Sequence, residues 1–307
     1  VNTSYYVLAK RELQKAGPTR FMPTIIDNVT GDVPPFIWRV FCDDKTYGVR
    51  FDEKIAHDPV YGYETVVAAI ENPIARGYRP MQMSSGTLNL GGKWGDDPDA
   101  VRENRRRLAA AGGFVVDQLR IAKQVHGNVV VDADALDATT LTATKADAVI
   151  ASQPGLVPAV LTADCVPILI SDGEGLVAAV HAGWRGTVAK IAAATVPAMA
   201  ARGSDPTRLS AAIGPAICAA CFEVGDEVAA QFEPIFVQRS KTGRPHVDLF
   251  AANVQQLVAA GLRADAIESL GRCTTHEPEI FYSFRRDGAN IGQQLSFIVA
   301  GRPAARP

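Results

Sequence analysis

Two short apolar runs joined by a glycine-rich turn constrain most strongly how this chain can fold. The runs are VPILIS at 166–171 and LVAAVH at 176–181, and DGEG at 172–175 lies between them. Apolar runs of this length, bounded by Asp and Gly, predict two buried strands. Because Gly supplies the positive-φ positions that hairpin turns need, we expect an antiparallel hairpin in the protein core.

A cysteine and a histidine lie at the open end of this hairpin. Cys165 precedes Gly173 by eight residues and His181 follows it by eight, so a hairpin centred on Gly173 places them opposite each other. Directly opposed Cβ atoms are about 4.5–5.5 Å apart. A thiolate and an imidazole then reach one ion at the usual Zn–S length of about 2.3 Å and Zn–N length of about 2.0–2.1 Å. A register that differs by one residue would put the two side chains on opposite faces.

A third candidate ligand, His126, stands beside the predicted turn at Gly127-Asn128. Three protein ligands and an open fourth position are the pattern of catalytic zinc rather than structural zinc. The spacings of 39 and 16 residues are long, and each of the three residues alone is more often an ordinary core or turn residue. The hypothesis is a zinc site formed by His126, Cys165 and His181.

Composition bounds the class of protein. The chain has 307 residues, 47% of them hydrophobic and 21% charged, with a net charge of −2, which is ordinary for a globular protein with a large core. The near-neutral charge gives no reason to expect nucleic acid as a partner, and no run of eighteen apolar residues predicts a membrane span. The first residues lack a signal-peptide core, and five Cys without a scaffold spacing indicate free thiols in a reducing, cytoplasmic setting.

Helix-capping and helix-breaking residues predict two long helices. Asp97 and Pro98 suit the N-cap and first position of a helix that Gly112-Gly113 ends. A second helix is expected from Thr187 to about Arg202, with a kink at Pro197.

Short strands complete the pattern of predicted elements. LRIAKQVHGNVVVDA at 119–133 indicates two strands around its Gly-Asn turn, and FYSFRR at 281–286 with QQLSFIVAG at 293–301 indicates a last strand pair. The mixture of helices, hairpins and short strands predicts an α/β (α+β) fold with mixed, largely antiparallel sheets.

The segment HAGWRG at 181–186 is a candidate anion site. A strand runs there into a Gly-rich turn and a helix start, where free backbone N–H groups favour an anion. Arg185 adds a fixed charge and a fork of donors. The alternative is a tight strand–helix turn without a ligand.

The segment FYSFRRDG at 281–288 offers a further candidate site. Adjacent residues on a strand point to opposite faces, so only one of Arg285 and Arg286 is expected to face a given pocket. Tyr282 and Phe284 share one face of this predicted strand, where they either stack on a planar base or pack.

Two further cysteine motifs stand apart from these segments. Cys218 and Cys221 form a lone C-x-x-C in CAAC; without a βαβ context around it, the pair is interpreted as two reduced, mostly structural thiols. Cys273 and His276 in CTTHE are a weaker candidate for a second metal pair.

Six motifs in a fixed order resemble the YfiH-like laccase-domain family, which is also called multicopper polyphenol oxidase-like and is described as purine nucleoside phosphorylases. The likeness covers about residues 84–300 and includes QVHG, TADC, HAGWRG, IGPAI, FEVGDEV and FRRDG. The resemblance implies a layered α/β/β/α sandwich for a catalytic domain at 84–307. Residues 1–83 are then a divergent lead-in that packs on this domain or extends it. Two features depart from the family pattern: a Gly-Gly-Val-Ser-type loop is missing, and Cys218 stands where Gly is common.

The resemblance also implies an activity. It implies zinc bound by His126, Cys165 and His181, and phosphorolysis of adenosine, inosine, guanosine or methylthioadenosine, with adenosine deamination as a further activity. The expected partners are a small-molecule nucleoside and phosphate, and the expected state is a monomer or homodimer. The catalytic candidates are Cys165, His181, Arg185 and Arg285, and the candidate substrate contacts are Arg185, Arg285, Arg286 and Tyr282.

Three alternatives remain open at this stage. His-Cys-His is also the ligand set of a blue-copper centre, so the site could hold copper in a laccase-like polyphenol oxidase; a multicopper enzyme needs many more histidines, and only His57, His246 and His276 remain. Cys165 with His181 could act as a metal-free nucleophile and base in a hydrolase. A zinc-binding module without turnover is the third alternative.

Overall fold

The computed structural model describes residues 89–93, 96–278, 280–289 and 291–301. The expected lead-in at 1–83, with Cys42 and His57, lies outside the described residues.

The strands of the described part form three sheets. A six-stranded sheet has the order β10-β7-β5-β6-β3-β2, a three-stranded sheet has the order β1-β4-β11, and β8 and β9 form a pair. Most neighbours are antiparallel, whereas β1–β4, β2–β3 and β7–β10 are parallel, which confirms the mixed sheets. The bounds are β1 Leu119–Arg120, β2 Val130–Asp132, β3 Ala148–Ala151, β4 Val157–Thr162, β5 Val166–Ser171, β6 Val177–Ala182, β7 Ser210–Ile213, β8 Val237–Arg239, β9 Pro245–Val247, β10 Ile267–Ser269 and β11 Gln294–Phe297.

The helices of the described part are short apart from three that pack on the sheets. Their bounds are α1 Pro98–Gly112, α2 Ala138–Ala143, α3 Trp184–Val188, α4 Ile191–Ala200, α5 Asp226–Ala229, α6 Leu249–Ala259 and α7 Phe284–Asp287. Among the described residues, no helix combines the length and apolar character needed to cross a membrane.

Three hydrophobic clusters define the layers. Leu108 of α1 packs against Phe297 of the three-stranded sheet, and Val160 of that sheet packs against Leu169 of the six-stranded sheet. The other face of the six-stranded sheet packs against α4 and α6, for instance through Met199. The layers therefore follow the order α/β/β/α, which confirms the fold implied by the resemblance.

The central hairpin is confirmed, but its register differs from the prediction by two residues. β5 and β6 pair antiparallel with Pro167 opposite His181 and Val166 opposite Ala182. The hairpin is thus centred on Glu174 rather than Gly173, and the Asp172 carboxylate accepts the Leu176 amide across the turn. A shift of two residues preserves the side-chain face, so the metal hypothesis survives this error.

The first predicted helix is confirmed in detail. Asp97 caps α1 by accepting the Asp99 amide at 3.0 Å, and Gly113 ends the helix in the left-handed conformation at φ 73°. The predicted second helix is wrong at its start: α3 ends at Val188, and α4 begins after Lys190, whose φ of 63° breaks the helical path. The discontinuity lies at Lys190, while Pro197 lies inside α4.

Two strand predictions need correction. FYSFRR does not form a strand, because Ser283 accepts the Arg286 amide as an N-cap and starts α7; the later segment does form β11, which pairs with β4. The strands around Gly127-Asn128 exist as β1 and β2, but they belong to different sheets. The intervening segment, which carries His126, therefore crosses between the two sheets.

Candidate functional site

Three different parts of the fold bring His126, Cys165 and His181 together. His126 lies on the segment that crosses between the sheets, Cys165 directly precedes β5, and His181 lies in β6. Their ligand atoms all lie within 4.8 Å of one another, and His126 Nε2 is 3.8 Å from Cys165 Sγ. A tetrahedral zinc site separates its N and S ligands by about 3.6 Å, given bond lengths of about 2.1 and 2.3 Å. The donor set and its spacing therefore fit zinc.

A buried carboxylate, Asp147, holds this arrangement and was missed by sequence reasoning. It accepts hydrogen bonds from the backbone amides of His126 at 2.8 Å and Gly127 at 2.7 Å, and from Val125 at 3.2 Å. His181 Nδ1 lies 2.8 Å from the same carboxylate. Because a carboxylate only accepts, Nδ1 donates and Nε2 of His181 is left for a metal.

These contacts keep Asp147 ionised although its side chain is fully buried. Burial opposes the charge, but the hydrogen bond from His181 and those from the Gly127 and His126 amides outweigh it and hold the pKa of Asp147 below its usual range. His126 has φ 61°, a left-handed conformation that is costly for a residue other than Gly. The converging amides stabilise this conformation and thereby aim the His126 ring.

Cys165 and His181 form a charged pair when no metal is bound. Burial opposes ionisation of Cys165, but the charge of His181 and hydrogen bonds from both imidazoles lower the pKa of the thiol to about 6. Burial also opposes protonation of His181, but the charge of Cys165 and the hydrogen bond to Asp147 raise the pKa of the imidazole to about 9. The thiolate is thus available at neutral pH, as a metal ligand must be.

The site requires a glycine at position 183, two residues after His181. A Cβ at this position would lie 2.8 Å from His126 Cδ2 and 2.9 Å from Cys165 Sγ. A side chain would displace two candidate ligands, so the site depends on this close approach of the backbone.

The triad lies at a cleft of about 470 Å³, a volume within the range of small-ligand sites. Arg185, Arg285, Phe222 and Phe284 also line it. The strand–turn–helix junction predicted at HAGWRG is present, with Gly183 as the N-cap of α3. The Arg185 guanidinium carbon lies 4.2 Å from the Trp184 ring centroid, a cation–π contact that restrains its side chain.

Only one of the two adjacent arginines of FRRDG faces the cleft. Arg285 lines it, whereas Arg286 donates to the carbonyls of Thr274 and Phe281 and pairs with Asp287. The expectation that only one arginine faces the pocket is met, but on a helix rather than a strand. Arg286 does not line the cleft, and its guanidinium is held by these structural contacts.

The structure does not place Tyr282, the other expected substrate contact, at the cleft. Its side chain is 1% exposed and does not line the cleft, because Tyr282 precedes α7 and packs into the interior. Phe222 and Phe284 supply the aromatic surface of the cleft instead.

Asp164 is a second residue that sequence reasoning missed. Its φ is 88°, and its carboxylate accepts from the Arg285 amide at 2.6 Å and from Thr274 Oγ1 at 2.5 Å. It fixes the backbone next to Cys165 against two other segments of the cleft. TADC contained this signal, because Asp tolerates the left-handed region better than most residues.

The structure also brings the two remaining cysteine motifs together. Cys218, Cys221, Cys273 and His276 offer ligand atoms that all lie within 4.8 Å of one another. Taking the C-x-x-C as an isolated pair of structural thiols was therefore incomplete, and the CTTHE pair is one half of the same cluster.

Comparisons with known proteins identify relatives of this chain by sequence and by fold. A family model described as multi-copper polyphenol oxidoreductase laccase matches residues 77–301. A purine nucleoside phosphorylase of Deinococcus radiodurans is 43% identical over 69% of this chain and 81% of its own length. Adenosine deaminase RL5, from an unknown prokaryotic organism, is 41% identical over 69% of this chain and 86% of its own length. The crystal structure of the hypothetical protein YfiH of Bacillus licheniformis superposes with a TM-score of 0.67 and 32% identity, over 71% of this chain and 89% of that one.

Replacing Asp147 by Asn should weaken zinc binding at the triad by about ten- to a hundred-fold, the usual effect of removing the partner of a metal-bound His. One amide oxygen cannot accept from all the donors that converge on the carboxylate. Zinc-dependent protection of Cys165 from alkylation, titrated against a chelating buffer, measures this affinity at the triad alone. Asp134→Asn is the matched control, because Asp134 accepts from Ser152 and Gln153 away from the cleft. A folded Asp147→Asn protein with wild-type affinity would contradict the orienting role.

In the metal-free protein, alkylation of Cys165 should already be near its plateau at pH 7. Its thiol, with a pKa of about 6, is about nine-tenths ionised there, and the thiolate is the nucleophile. Burial and the neighbouring Cys218 and Cys273 raise the pKa of Cys221 to about 12. The alkylation rate of Cys221 should therefore still rise about tenfold per pH unit above pH 7. Peptide-resolved mass spectrometry between pH 5 and about pH 9 compares the two thiols. A Cys165 rate that rises as steeply as that of Cys221 above pH 7 would refute the ion pair.

Proposed function

The chain belongs to the multi-copper polyphenol oxidoreductase laccase family, and from that premise we propose that it is a zinc-dependent purine nucleoside phosphorylase. One observation carries the proposal: a single cleft is lined by the triad, by Arg185 and Arg285, and by the aromatic rings of Trp184, Phe222 and Phe284. Relatives named purine nucleoside phosphorylase, including YfiH of Escherichia coli at 40% identity, support it.

The two arginines suit phosphate as a co-substrate. Arg185 is held by its contact with Trp184, and Arg285 donates to the carbonyls of Cys221 at 3.1 Å and Glu223 at 2.8 Å. A guanidinium offers a planar fork of donors that matches phosphate oxygens. Because both side chains are exposed at the cleft, they can bind an anion that enters from solvent.

The aromatic rings suit a flat base. Phe284 is 48% exposed, and the ring of Phe222 lies 5.3 Å from the Arg285 guanidinium carbon. A purine stacked in the cleft would bury apolar surface against these rings. The cleft volume accommodates a nucleoside beside a phosphate, and the candidate substrates are adenosine, inosine, guanosine and methylthioadenosine.

Phosphorolysis requires one bond to form as another breaks. A phosphate oxygen bonds to C1′ of the ribose, the bond from C1′ to the purine nitrogen breaks, and the base takes the proton that phosphate loses. Positive charge grows on the ribose and negative charge on the base. The arginines hold the phosphate in place for attack.

A zinc ion held by His126, Cys165 and His181 would supply a Lewis acid and a bound water of pKa near 7. The residues fit this ion because Asp147 fixes the His181 tautomer and the thiol of Cys165 ionises readily.

Adenosine deamination is a second candidate activity at the same site. The relative named adenosine deaminase RL5 favours it, as does a three-ligand site with an open position. The chain lacks the H-x-E signature of the ordinary nucleobase deaminases, so deamination would rely on the triad and its surroundings.

Polyphenol oxidation, which the family description names, fits this chain less well. Five histidines occur in the whole sequence, too few for the triad and a many-histidine copper cluster together.

A metal-free hydrolase that uses Cys165 and His181 would keep its activity after chelation. Activity assays with and without a chelator therefore separate it from the zinc enzyme.

With inosine and phosphate, the zinc-loaded protein should release hypoxanthine and ribose 1-phosphate, because the arginines favour phosphate over water at C1′. Chromatography of the products with and without phosphate measures this, with adenosine in parallel to detect inosine from deamination. Equally fast base release without phosphate would contradict phosphorolysis, and unchanged turnover after chelation would favour the cysteine hydrolase.

Arg185→Ala should weaken phosphate use by about ten- to a hundred-fold, since hydrogen bonds to charged groups contribute about 1.5–3 kcal/mol and about 1.4 kcal/mol is tenfold. Arg185→Lys should restore only part of this, because an ammonium lacks the fork. Phosphate kinetics of the zinc-loaded variants are the measurement, and Arg208→Ala, an exposed arginine outside the cleft lining, is the control. Unchanged phosphate kinetics in a folded Arg185→Ala protein would make Arg185 structural.

A further inference from the structure

A second cluster of metal-binding side chains lies beside the cleft wall. Cys218 and Cys221 belong to the loop after β7, and Cys273 and His276 belong to the loop after β10. All four ligand atoms lie within 4.8 Å of one another, and the cysteines are free thiols. None of the four lines the cleft.

The fold itself explains how motifs so far apart in sequence meet. β7 and β10 are adjacent parallel strands, so their carboxyl ends lie at the same edge of the sheet. The two loops continue side by side: Ala216 donates to the Arg272 carbonyl at 3.2 Å, and Thr274 donates to the Ala216 carbonyl at 3.1 Å. This ladder sets Cys218 and Cys273 next to each other, with the Cys218 amide 3.4 Å from Cys273 Sγ.

We propose that Cys218, Cys221, Cys273 and His276 bind a second zinc ion that fastens these two loops together. Four protein ligands close the coordination sphere, which is the pattern of a structural rather than a catalytic zinc site. The C-x-x-C and C-x-x-H spacings are those that zinc sites use, because two ligands three residues apart on a turn reach one ion.

The distances suit a tetrahedral ion. Cys221 Sγ is 3.0 Å from His276 Nε2, and Cys218 Sγ is 4.0 Å from His276 Nδ1. The ligands of such a site are separated by about 3.6–3.8 Å. His276 can bind the ion through only one of its two ring nitrogens, so its ring must adjust for all four ligand atoms, which lie within 4.8 Å of one another, to surround one centre. Three thiolates select a thiophilic ion and disfavour magnesium or calcium.

The surroundings also suit the charge of such a centre. Three thiolates around a dication carry a net charge of about −1. The Cys218 amide donates to Cys273 Sγ, and the Arg285 guanidinium donates to the Cys221 carbonyl. The backbone N–H stabilises negative charge on the sulfur that it contacts.

This second ion would support the cleft. Ile217 and Phe222, which flank the C-x-x-C, line the cleft. Thr274, next to Cys273, donates to Asp164, and the Ile217 amide donates to the Asp164 carbonyl at 3.0 Å. The ion thus fastens the loops that hold the residue next to Cys165.

Zinc content per chain, measured by elemental analysis after purification with zinc, tests the proposal without any activity assay. The wild type should hold two ions, Cys165→Ser one, Cys218→Ser with Cys221→Ser one, and the combined variant none. A Cys165→Ser protein free of zinc, or a wild type that holds a single ion lost with Cys165→Ser, would overturn the second site. So would a disulfide among Cys218, Cys221 and Cys273 in the reduced, zinc-supplied protein.

If the double variant fails to fold, substitution of His276, the exposed ligand of the cluster, tests the proposal instead. His276→Ser should lower zinc affinity at the second site and the melting temperature, while His276→Cys should restore both, because a fourth thiolate completes the site. His246→Ser is the matched control, since His246 bonds to the Ala219 carbonyl but does not belong to the cluster. Zinc content in His276→Ser equal to that in the wild type, under chelator challenge, would also overturn the proposal.

Discussion

The buried carboxylate of Asp147 is the interaction on which the site depends. It accepts from three consecutive amides around His126 and from His181 Nδ1, so one residue fixes the ligands of two different chain segments. The same carboxylate stabilises the left-handed backbone conformation of His126 and selects the tautomer of His181. A buried charge is tolerated only when it is fully hydrogen-bonded, and here the hydrogen bonds are those that shape the candidate metal site.

The layered architecture places that carboxylate where the segments converge. Asp147 directly precedes β3, and the pairing of β3 with β6 sets it beside His181. The crossing segment brings His126 from the other sheet. Asp164, next to Cys165, contacts the loops after β7 and β10. Two clusters of soft ligands therefore support one cleft: an open triad that faces it and a closed group of four behind its wall.

The sequence predicted the elements that depend on local pattern. The hairpin, the capped helix α1 and the strand–turn–helix junction at Gly183 follow from apolar runs, Asp, Pro and Gly. Asp147 was not predictable, because nothing in KADAVI distinguishes a buried acceptor from a surface acid. Tyr282 and α7 were misjudged because an Ser283 N-cap overrode an alternating pattern. The four-ligand cluster was not predicted because Cys218 and Cys273 are 55 residues apart in the sequence, and only the parallel pairing of β7 with β10 brings its two halves together.

Anomalous diffraction at the zinc edge, from crystals of the zinc-loaded protein, would show whether Asp147 orients the ligands of a zinc ion at the triad. We expect a peak about 2.0–2.3 Å from Nε2 of His126, Nε2 of His181 and Sγ of Cys165, with His181 Nδ1 still donating to Asp147. A peak on Nδ1 of His181 with the Asp147 contact broken, or no peak at the triad, would contradict it.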